Sequence, residues 1–340
     1  MYLDLYCQCA EILHKVQIMH VTLTPSTAAT AVQAADASRQ ARGLWLGLLG
    51  VAIFAVTLPM TKLAVGTVDA VQLSPWFVTF GRAAVAGLLS AIYLAVQHQR
   101  GRLVVPQGRQ WALLLMTACG VVVGFPLFMS LALLYVPSIH GAVVTGLLPL
   151  ATAVIGALWM RQRPSWGFWL SALAGTLLVL AFMAFRSADT SGHFSLHLAD
   201  VFLLIAMTAG AFGYIGGARL TPALGAEQVI CWVLVLSLPL TLPMAWLNQP
   251  LHAASVQAAS WWAFGYVALF SMWIGFFAWY RGLALGGAVR VSQVQLVQPF
   301  LSLLFAVPLL GEALDALTIG FGLAVIAVVF VGKKMPVTAR

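Results

Sequence analysis

The sequence predicts an all-α integral membrane protein with ten transmembrane helices, arranged as two inverted five-helix repeats with both termini in the cytoplasm. Composition, the spacing of apolar segments and an internal repeat lead to this fold class. Of the 340 residues, 62% are hydrophobic and 8% are charged, whereas roughly 25% of the residues of soluble domains are charged. So few charges do not cover a water-exposed surface, and we expect a multi-pass protein of the inner (plasma) membrane.

The apolar segments have the length that a membrane-spanning helix needs. A bilayer core about 30 Å thick is crossed by roughly 20 residues in helical conformation. Ten such segments, joined by short connections, are predicted at residues 43–65, 74–96, 111–131, 137–159, 165–185, 199–218, 228–248, 260–281, 288–310 and 315–332.

The distribution of lysine and arginine sets the orientation, because basic residues in short loops stay on the cytoplasmic side. With the N-terminus inside, thirteen of the 17 basic residues fall in cytoplasmic segments: Arg39, Arg42, Arg100, Arg102, Arg109, Arg161, Arg163, Arg219, Arg281, Arg290, Lys333, Lys334 and Arg340. The others are Lys15 in the tail, Lys62 and Arg186 at the opposite face, and Arg82 within a span. This topology accounts for the net charge of +8, so we expect no nucleic-acid partner.

Three segments are expected to lie outside the bilayer. Residues 1–42 are predicted to form a disordered cytoplasmic tail, because "MYLDLYCQCAEILHKVQIMH" lacks the features of a signal peptide and the rest is small and polar. Met19 is an alternative to Met1 as the start of translation. Residues 186–198 are predicted to be an extracytoplasmic loop, and residues 333–340 a basic cytoplasmic tail.

The chain also repeats itself. An offset of 150 residues aligns Pro149 with Pro299 and Trp111 with Trp261, each tryptophan at the opening of a span. The repeats are therefore expected at residues 43–185 and 199–332. Because five spans is an odd number, the second repeat must enter the membrane from the opposite side, which makes the pair inverted. Inverted repeats with interrupted helices are typical of secondary transporters that bind substrate near the midplane.

Two segments carry a resemblance to a known family. The segment "TLPMTKLAVGTVDAVQLSPWFVTFGRAAVAGLL", with Lys62 and Arg82, resembles the EamA-type repeat of the drug/metabolite transporter superfamily. The segment "GAVRVSQVQLVQPFLSLLFAVPLLGEALDALTIGFGLAVI" is similar to the closing part of that repeat, with its proline and a Gly-Glu pair at Glu312. The resemblance implies a ten-helix inner-membrane carrier, usually an exporter of amino acids or related metabolites. The first repeat departs from the pattern, because Gln162 stands where Glu is expected.

The ninth predicted span carries one polar face. Ser292, Gln295, Gln298 and Ser302 follow helical steps of three and four, and in hydrocarbon such a face is expected to point into the bundle or a wet cavity. Pro299 removes an amide donor, so the carbonyl of Gln295 must find another partner.

On the fourth span, Thr145 flanks Pro149 as Gln295 flanks Pro299. Gln295, Gln298, Ser302 and Thr145 are therefore candidate substrate-binding or pathway residues, and the two prolines candidate kinks. The alternative is that these polar groups only bond neighbouring helices.

Three ionisable residues complete the candidate site. Arg82 lies within the second span, where an arginine is costly and commonly functional. It is a candidate ligand for a substrate carboxylate, and the alternative is an ion pair or a side chain that reaches the interface. His140 and Glu312 are candidate coupling groups.

The predicted function is a secondary transporter of a small molecule, embedded in the lipid bilayer as a monomer or homodimer, with no cofactor and no metal site. No phosphate-binding loop motif is present, which argues against ATP-driven transport by this chain. The leading alternative is an integral membrane enzyme acting on lipid-linked substrates. His193 and His197 are the pair that such an enzyme would use, but no HExxH pattern accompanies them. A receptor or assembly subunit is a third reading.

Overall fold

The computed structural model describes residues 25–136, 145, 147–159, 162–191, 198–310, 316–335 and 337–339. The chain divides into two units, Met1–Ala41 and Arg42–Arg340. In the smaller unit the described residues are helical from Pro25, where the sequence predicts a disordered tail. Alanine, the strongest helix former, recurs throughout this stretch, and its propensity outweighs the small polar residues between.

The described residues are almost entirely helical. In the first half the helices are α1 Pro25–Ala55, α2 Thr57–Val65, α3 Pro75–Gln99, α4 Arg109–Ala118, α5 Phe125–Tyr135, α6 Leu148–Trp159 and α7 Trp166–Ser191. In the second half they are α8 Leu198–Leu224, α9 Ala226–Leu247, α10 Ala258–Tyr266, α11 Gly275–Gly286, α12 Ala288–Ser292, α13 Gln298–Leu310 and α14 Ala316–Lys334. Short 3₁₀ segments occupy Ala253–Ser255 and Gln293–Val297.

The described part of each predicted span is helical, and seven stretches are long and apolar enough to cross a membrane. They are Asp36–Val65, Pro75–Gln99, Arg109–Tyr135, Leu198–Leu224, Ala226–Leu247, Ala258–Gly286 and Ala288–Leu309. The chain is therefore a multi-pass membrane protein. Several helices extend past the predicted ends of their spans. In particular, α7 continues to Ser191, through the first residues of the predicted 186–198 loop.

The two halves pack against each other in a reciprocal manner. The second helices of the halves, α3 and α9, lie together, as do α6 with α12 and α7 with α14. The opening segment of each half packs against the third segment of the other, because α2 contacts α10 while α8 contacts α4 and α5. Each half therefore contacts the other through helices at corresponding positions.

Both halves also contain a π-helical segment at corresponding positions. Segment π1 is Cys119–Gly124 and segment π2 is Val267–Ile274. The offset of 150 that relates the repeats carries residues 119–124 onto residues 269–274. A π segment inserts a residue into the helical ladder and is frequently found at functional sites.

Glycines let the helices approach closely where the halves meet. A Cβ atom on Gly282 of α11 would lie 2.7 Å from the amide nitrogen of Gly47 and 2.9 Å from the carbonyl oxygen of Gly43. A Cβ atom on Gly120 of π1 would lie 2.9 Å from the amide nitrogen of Gly213 in α8. In a membrane, where lipid is as apolar as leucine, such backbone proximity is a main source of helix association.

A small antiparallel sheet joins two distant parts of the chain. Strand β1, Gln162–Pro164, pairs with strand β2, Val337–Ala339, in the register Arg163 to Thr338. The C-terminal segment, predicted only as a basic tail, therefore forms a strand in its described residues. Because the two strands are hydrogen-bonded, the connection after α6 and the segment after α14 lie on the same side of the bilayer.

The first membrane-spanning segment is broken between α1 and α2, and a proline explains the break. Pro59 has no amide hydrogen, so the carbonyl of Ala55, one turn earlier, has no donor in its own helix. The Ser302 hydroxyl, from α13 in the other half, donates a hydrogen bond to this oxygen at 2.7 Å. The second half thereby satisfies a backbone group that the first half leaves unpaired.

The equivalent problem at Pro299 is solved locally. The chain adopts a 3₁₀ turn at Gln293–Val297, so that the amide of Gln298 donates to the carbonyl of Gln295. The sequence prediction that this carbonyl needs another partner is confirmed. The partner is a neighbouring amide, three residues on, rather than a side chain.

Replacing Ser302 with Ala is expected to destabilise the protein. The Ala55 carbonyl would then be buried without a donor, which costs about 1–3 kcal/mol. The control is Ser237→Ala, because the Ser237 hydroxyl donates to the Val233 carbonyl within its own helix, at 2.8 Å. Thermal unfolding in detergent should show a lower midpoint for Ser302→Ala than for Ser237→Ala. Equal midpoints would contradict the role of Ser302.

Candidate functional site

A cavity that is partly open to solvent lies between the helices of both halves. Residues from the break in the first segment, from both π segments and from the ninth span meet there. Its lining comprises Phe54, Thr57, Leu58, Arg82, Val121, Phe125, Met129, Thr145, Leu148, Tyr214, Ser271, Phe276 and Gln298.

Arg82 is the charged group of this lining. It projects from α3, two turns after the Ser74 cap, and its side chain is only 3% exposed. One terminal nitrogen, Nη2, donates to the sulfur of Met272 at 3.3 Å, and Nε has no hydrogen-bond partner in the described part of the chain. A thioether sulfur is a weak acceptor, so the guanidinium is poorly compensated among the described residues.

Aromatic rings form one wall of the cavity. The ring centroids of Phe54 and Phe276 are 5.1 Å apart, those of Tyr214 and Phe276 are 6.0 Å apart, and those of Phe54 and Tyr214 are 6.3 Å apart. The Trp279 ring backs this cluster from behind, 5.3 Å from Tyr214, and is fully buried. The rings of Phe54 and Tyr214 are nearly parallel, and the ring of Phe276 is tilted by 59° to both. Together they offer an apolar wall beside the buried cation.

Hydroxyl groups connect the two halves around the break in the first segment. The Thr57 hydroxyl donates to the Ser271 hydroxyl at 2.9 Å, and the Tyr266 hydroxyl donates to the carbonyl of Ile53 at 2.9 Å. With the bond from Ser302 to Ala55, three side chains of the second half bind residues 53–57. We call these five residues the hinge segment.

The structure brings some of the predicted site residues together. Arg82, Thr145 and Gln298 line the cavity. Gln295 does not line it; it is buried next to the Tyr214 hydroxyl, and neither polar atom of its carboxamide makes a well-formed hydrogen bond in the described chain. Ser302 binds the backbone instead of facing the cavity.

The remaining predicted site residues are two prolines and two candidate coupling groups. Pro149 and Pro299 are both buried, in α6 and α13. His140 and Glu312, the candidate coupling groups, lie outside the described residues. The functional roles assigned to all of these residues stay predictions.

Sequence reasoning missed several residues of the cavity. Phe54, Thr57, Ser271 and Phe276 carry no motif, and in a chain with 11% aromatic residues no ring stands out. Pro59, within the first span, was the available signal for a break there.

Lys62 has a structural role, because its ammonium group donates to the carbonyl of Leu133 at 2.8 Å, near the end of α5. Among the residues that the structure describes, no cluster of three or more metal-ligating side chains occurs.

Comparisons with known proteins agree with this architecture. The model of the EamA-like transporter family matches residues 41–184 and again residues 197–332. A Bacillus subtilis (strain 168) protein named "Uncharacterized transporter YdeK" is 42% identical over 291 residues, which is 85% of this chain and 96% of that protein. A known crystal structure matches with a TM-score of 0.62 at 18% identity, over 84% of this chain and 98% of the other, which shows the fold alone. The chain belongs to the EamA-like transporter family of the drug/metabolite transporter superfamily.

Proposed function

We propose that this membrane transporter is a secondary transporter that exports amino acids or related small metabolites across the inner membrane. It works by alternating access around the cavity that contains Arg82. The observation that carries the proposal is a buried guanidinium, without a carboxylate partner in the described chain, that lines a cavity between the two halves. The proposals that transport is outward and that the substrates are amino acids or related metabolites rest on the family resemblance.

The energetics of Arg82 support a role in binding. An arginine at the centre of a spanning helix costs about 2.5–3.5 kcal/mol on insertion scales. A buried charge is retained in proteins when something compensates it. A substrate carboxylate would supply the compensation through two parallel hydrogen bonds. Gln298 and Thr145 are placed to contact the rest of the same molecule, and Gln295 lies one layer behind.

The packing supports alternating access. The cavity is built from both halves, and its walls include the hinge segment, π1 and π2, where the helical ladder is irregular. Irregular backbone at membrane depth is tolerated where it is buried in protein or lines a cavity. Movement of one half against the other would alter the access to the site while Arg82 keeps its place in α3. His140 and Glu312 remain our candidates for coupling.

We further propose ten membrane-crossing helices in two inverted repeats, residues 43–185 and 199–332, with cytoplasmic termini. Contacts near the helix ends support this topology. In the described chain, residues predicted on one side of the membrane contact each other and not residues predicted on the other side. On the proposed cytoplasmic side, Arg281 pairs with Glu227 at 3.2 Å, and the Gln228 amide binds the Arg102 carbonyl at 2.9 Å. On the other side, the Ser260 hydroxyl donates to the Leu63 carbonyl at 2.7 Å.

Replacing Arg82 with Gln is expected to reduce transport at least tenfold. The substrate would be found by comparing the medium of cells that lack and that overproduce the protein, and the rate then measured in proteoliposomes. Arg82→Gln should unfold at the same or a higher temperature than the unaltered protein, because it removes a buried charge. Loss of activity without loss of stability is the signature of a binding residue.

Arg281→Gln is the matched control. Its side chain is 58% exposed and pairs with Glu227 at the helix ends, and exposed pairs contribute about 0–1 kcal/mol. Transport by this variant should stay within about twofold of the unaltered protein. A fully active Arg82→Gln variant would contradict the binding role, and an unchanged medium in both strains would contradict export.

The topology predicts which positions can be labelled from outside the cell. In a cysteine-free background, Gln249→Cys should react with a membrane-impermeant maleimide in intact cells, and Gln107→Cys only after the membrane is permeabilised. Both positions are exposed in the structure, so access and not burial decides the result. Labelling of both positions in intact cells, or of position 107 alone, would overturn the proposed orientation.

A further inference from the structure

Resting on the proposed transport through this cavity, we propose that the site selects a monoanion. The substrate class would be a carboxylate with a bulky apolar or aromatic body and no free ammonium group, such as an aryl-alkanoic acid or an N-acylated amino acid. Within the proposed amino acids and related metabolites, this selects the monocarboxylates whose amine is capped or missing and disfavours amino acids with a free ammonium group.

Charge balance in the described lining favours a monoanion. Arg82 is the charged residue of the described lining, and no described carboxylate joins it there. A bound monoanion makes the cavity neutral. A zwitterion leaves it with a net positive charge, because its carboxylate and ammonium group cancel each other. In a desolvated site an uncompensated charge is strongly unfavourable.

The position of the ammonium group in an α-amino acid disfavours binding beside Arg82. In an α-amino acid the ammonium group is attached to the carbon next to the carboxylate. Pairing the carboxylate with the guanidinium therefore places two positive groups within a few ångströms of each other. Repulsion between like charges grows as the effective dielectric constant falls. A capped or missing amine removes this repulsion and keeps the pairing with Arg82.

An ammonium group has three donors that need acceptors. The acceptors that the described lining offers are neutral: they include the hydroxyl oxygens of Thr57 and Ser271, which are hydrogen-bonded to each other at 2.9 Å. The carboxamide oxygen of Gln298 is another neutral acceptor of the lining. Neutral acceptors of this kind do not replace a carboxylate as the partner of a buried cation.

The aromatic wall supports an apolar body rather than a cation. Rings that recognise ammonium groups present their faces around the charge. Here Phe54, Tyr214 and Phe276 pack on one another, with centroid separations of 5.1–6.3 Å. Part of the face of each ring is therefore covered by its neighbours. Phe125 and Met129 extend the apolar lining, so a ring or branched chain attached to the carboxylate would be buried against it.

Three compounds that share a phenyl-ethyl body test the proposal. 3-Phenylpropanoate is a monoanion, L-phenylalanine adds the α-ammonium group, and phenethylamine keeps the ammonium but lacks the carboxylate. Binding to the purified full chain would be measured by calorimetry and by thermal shift. We expect 3-phenylpropanoate to bind at least tenfold more tightly than L-phenylalanine, with N-acetyl-L-phenylalanine like the former and no binding of phenethylamine. Propanoate, without the ring, should bind at least tenfold more weakly.

Variants identify the group responsible. Arg82→Gln should abolish the preference for the monoanion, and Arg82→Lys should keep its direction with weaker binding, because lysine retains the charge but not the two-pronged geometry. Arg281→Gln should leave all affinities unchanged. The thermal midpoint without ligand checks that each variant is folded.

Several results would overturn the proposal. L-Phenylalanine binding as tightly as 3-phenylpropanoate, no binding of 3-phenylpropanoate, or an unchanged preference in Arg82→Gln would each refute it. The failure is distinguishable from failure of the proposed function. If L-phenylalanine binds and is transported in an Arg82-dependent way, the transporter assignment stands and only the charge selectivity is wrong.

Discussion

The structure depends on one requirement of the bilayer interior: every backbone polar group buried in it needs a partner within the protein. Pro59 breaks this rule locally, because it leaves the carbonyl of Ala55 without a donor from its own helix. Ser302 restores it from the opposite half of the molecule. The break in the first segment and one hydrogen bond that joins the halves beside the cavity thus follow from one hydrogen-bonding problem and its solution.

The same requirement explains why the cavity is central. The hinge segment is bound by Tyr266 and Ser302 at its backbone, and by Ser271 at the Thr57 side chain. These bonds all join the halves, so they hold the hinge segment only while the halves keep their present arrangement. A displacement of the second half would release several of them together, and the released groups would need water or substrate as replacements. Coupling between cavity and helix packing follows from this geometry.

The sequence predicted the features that depend on a short stretch of chain. It missed the contacts between residues that are far apart in the sequence. Apolar length located the helices, and the missing amide of Pro299 correctly indicated that the Gln295 carbonyl needs another partner. Ser302 was expected to face the site, whereas it binds a carbonyl 247 positions away. No pattern in one sequence reveals such a pairing. Arg82 was recognisable because charge is rare in a span, whereas the aromatic wall was hidden among many similar rings.

The two halves have corresponding helices and π segments but do not contribute the same residues to the candidate site. Helix α9, the counterpart of α3, carries Glu227 in its first turn and no charged residue after it, so Arg82 has no equivalent in the second half. Similarly, α8 is continuous from Leu198 to Leu224, where the opening segment of the first half is broken. In the proposed mechanism, a charge on one half only would hold a bound anion closer to that half. The first half would then anchor the carboxylate, while hydroxyl groups of the second half bind the hinge segment beside it.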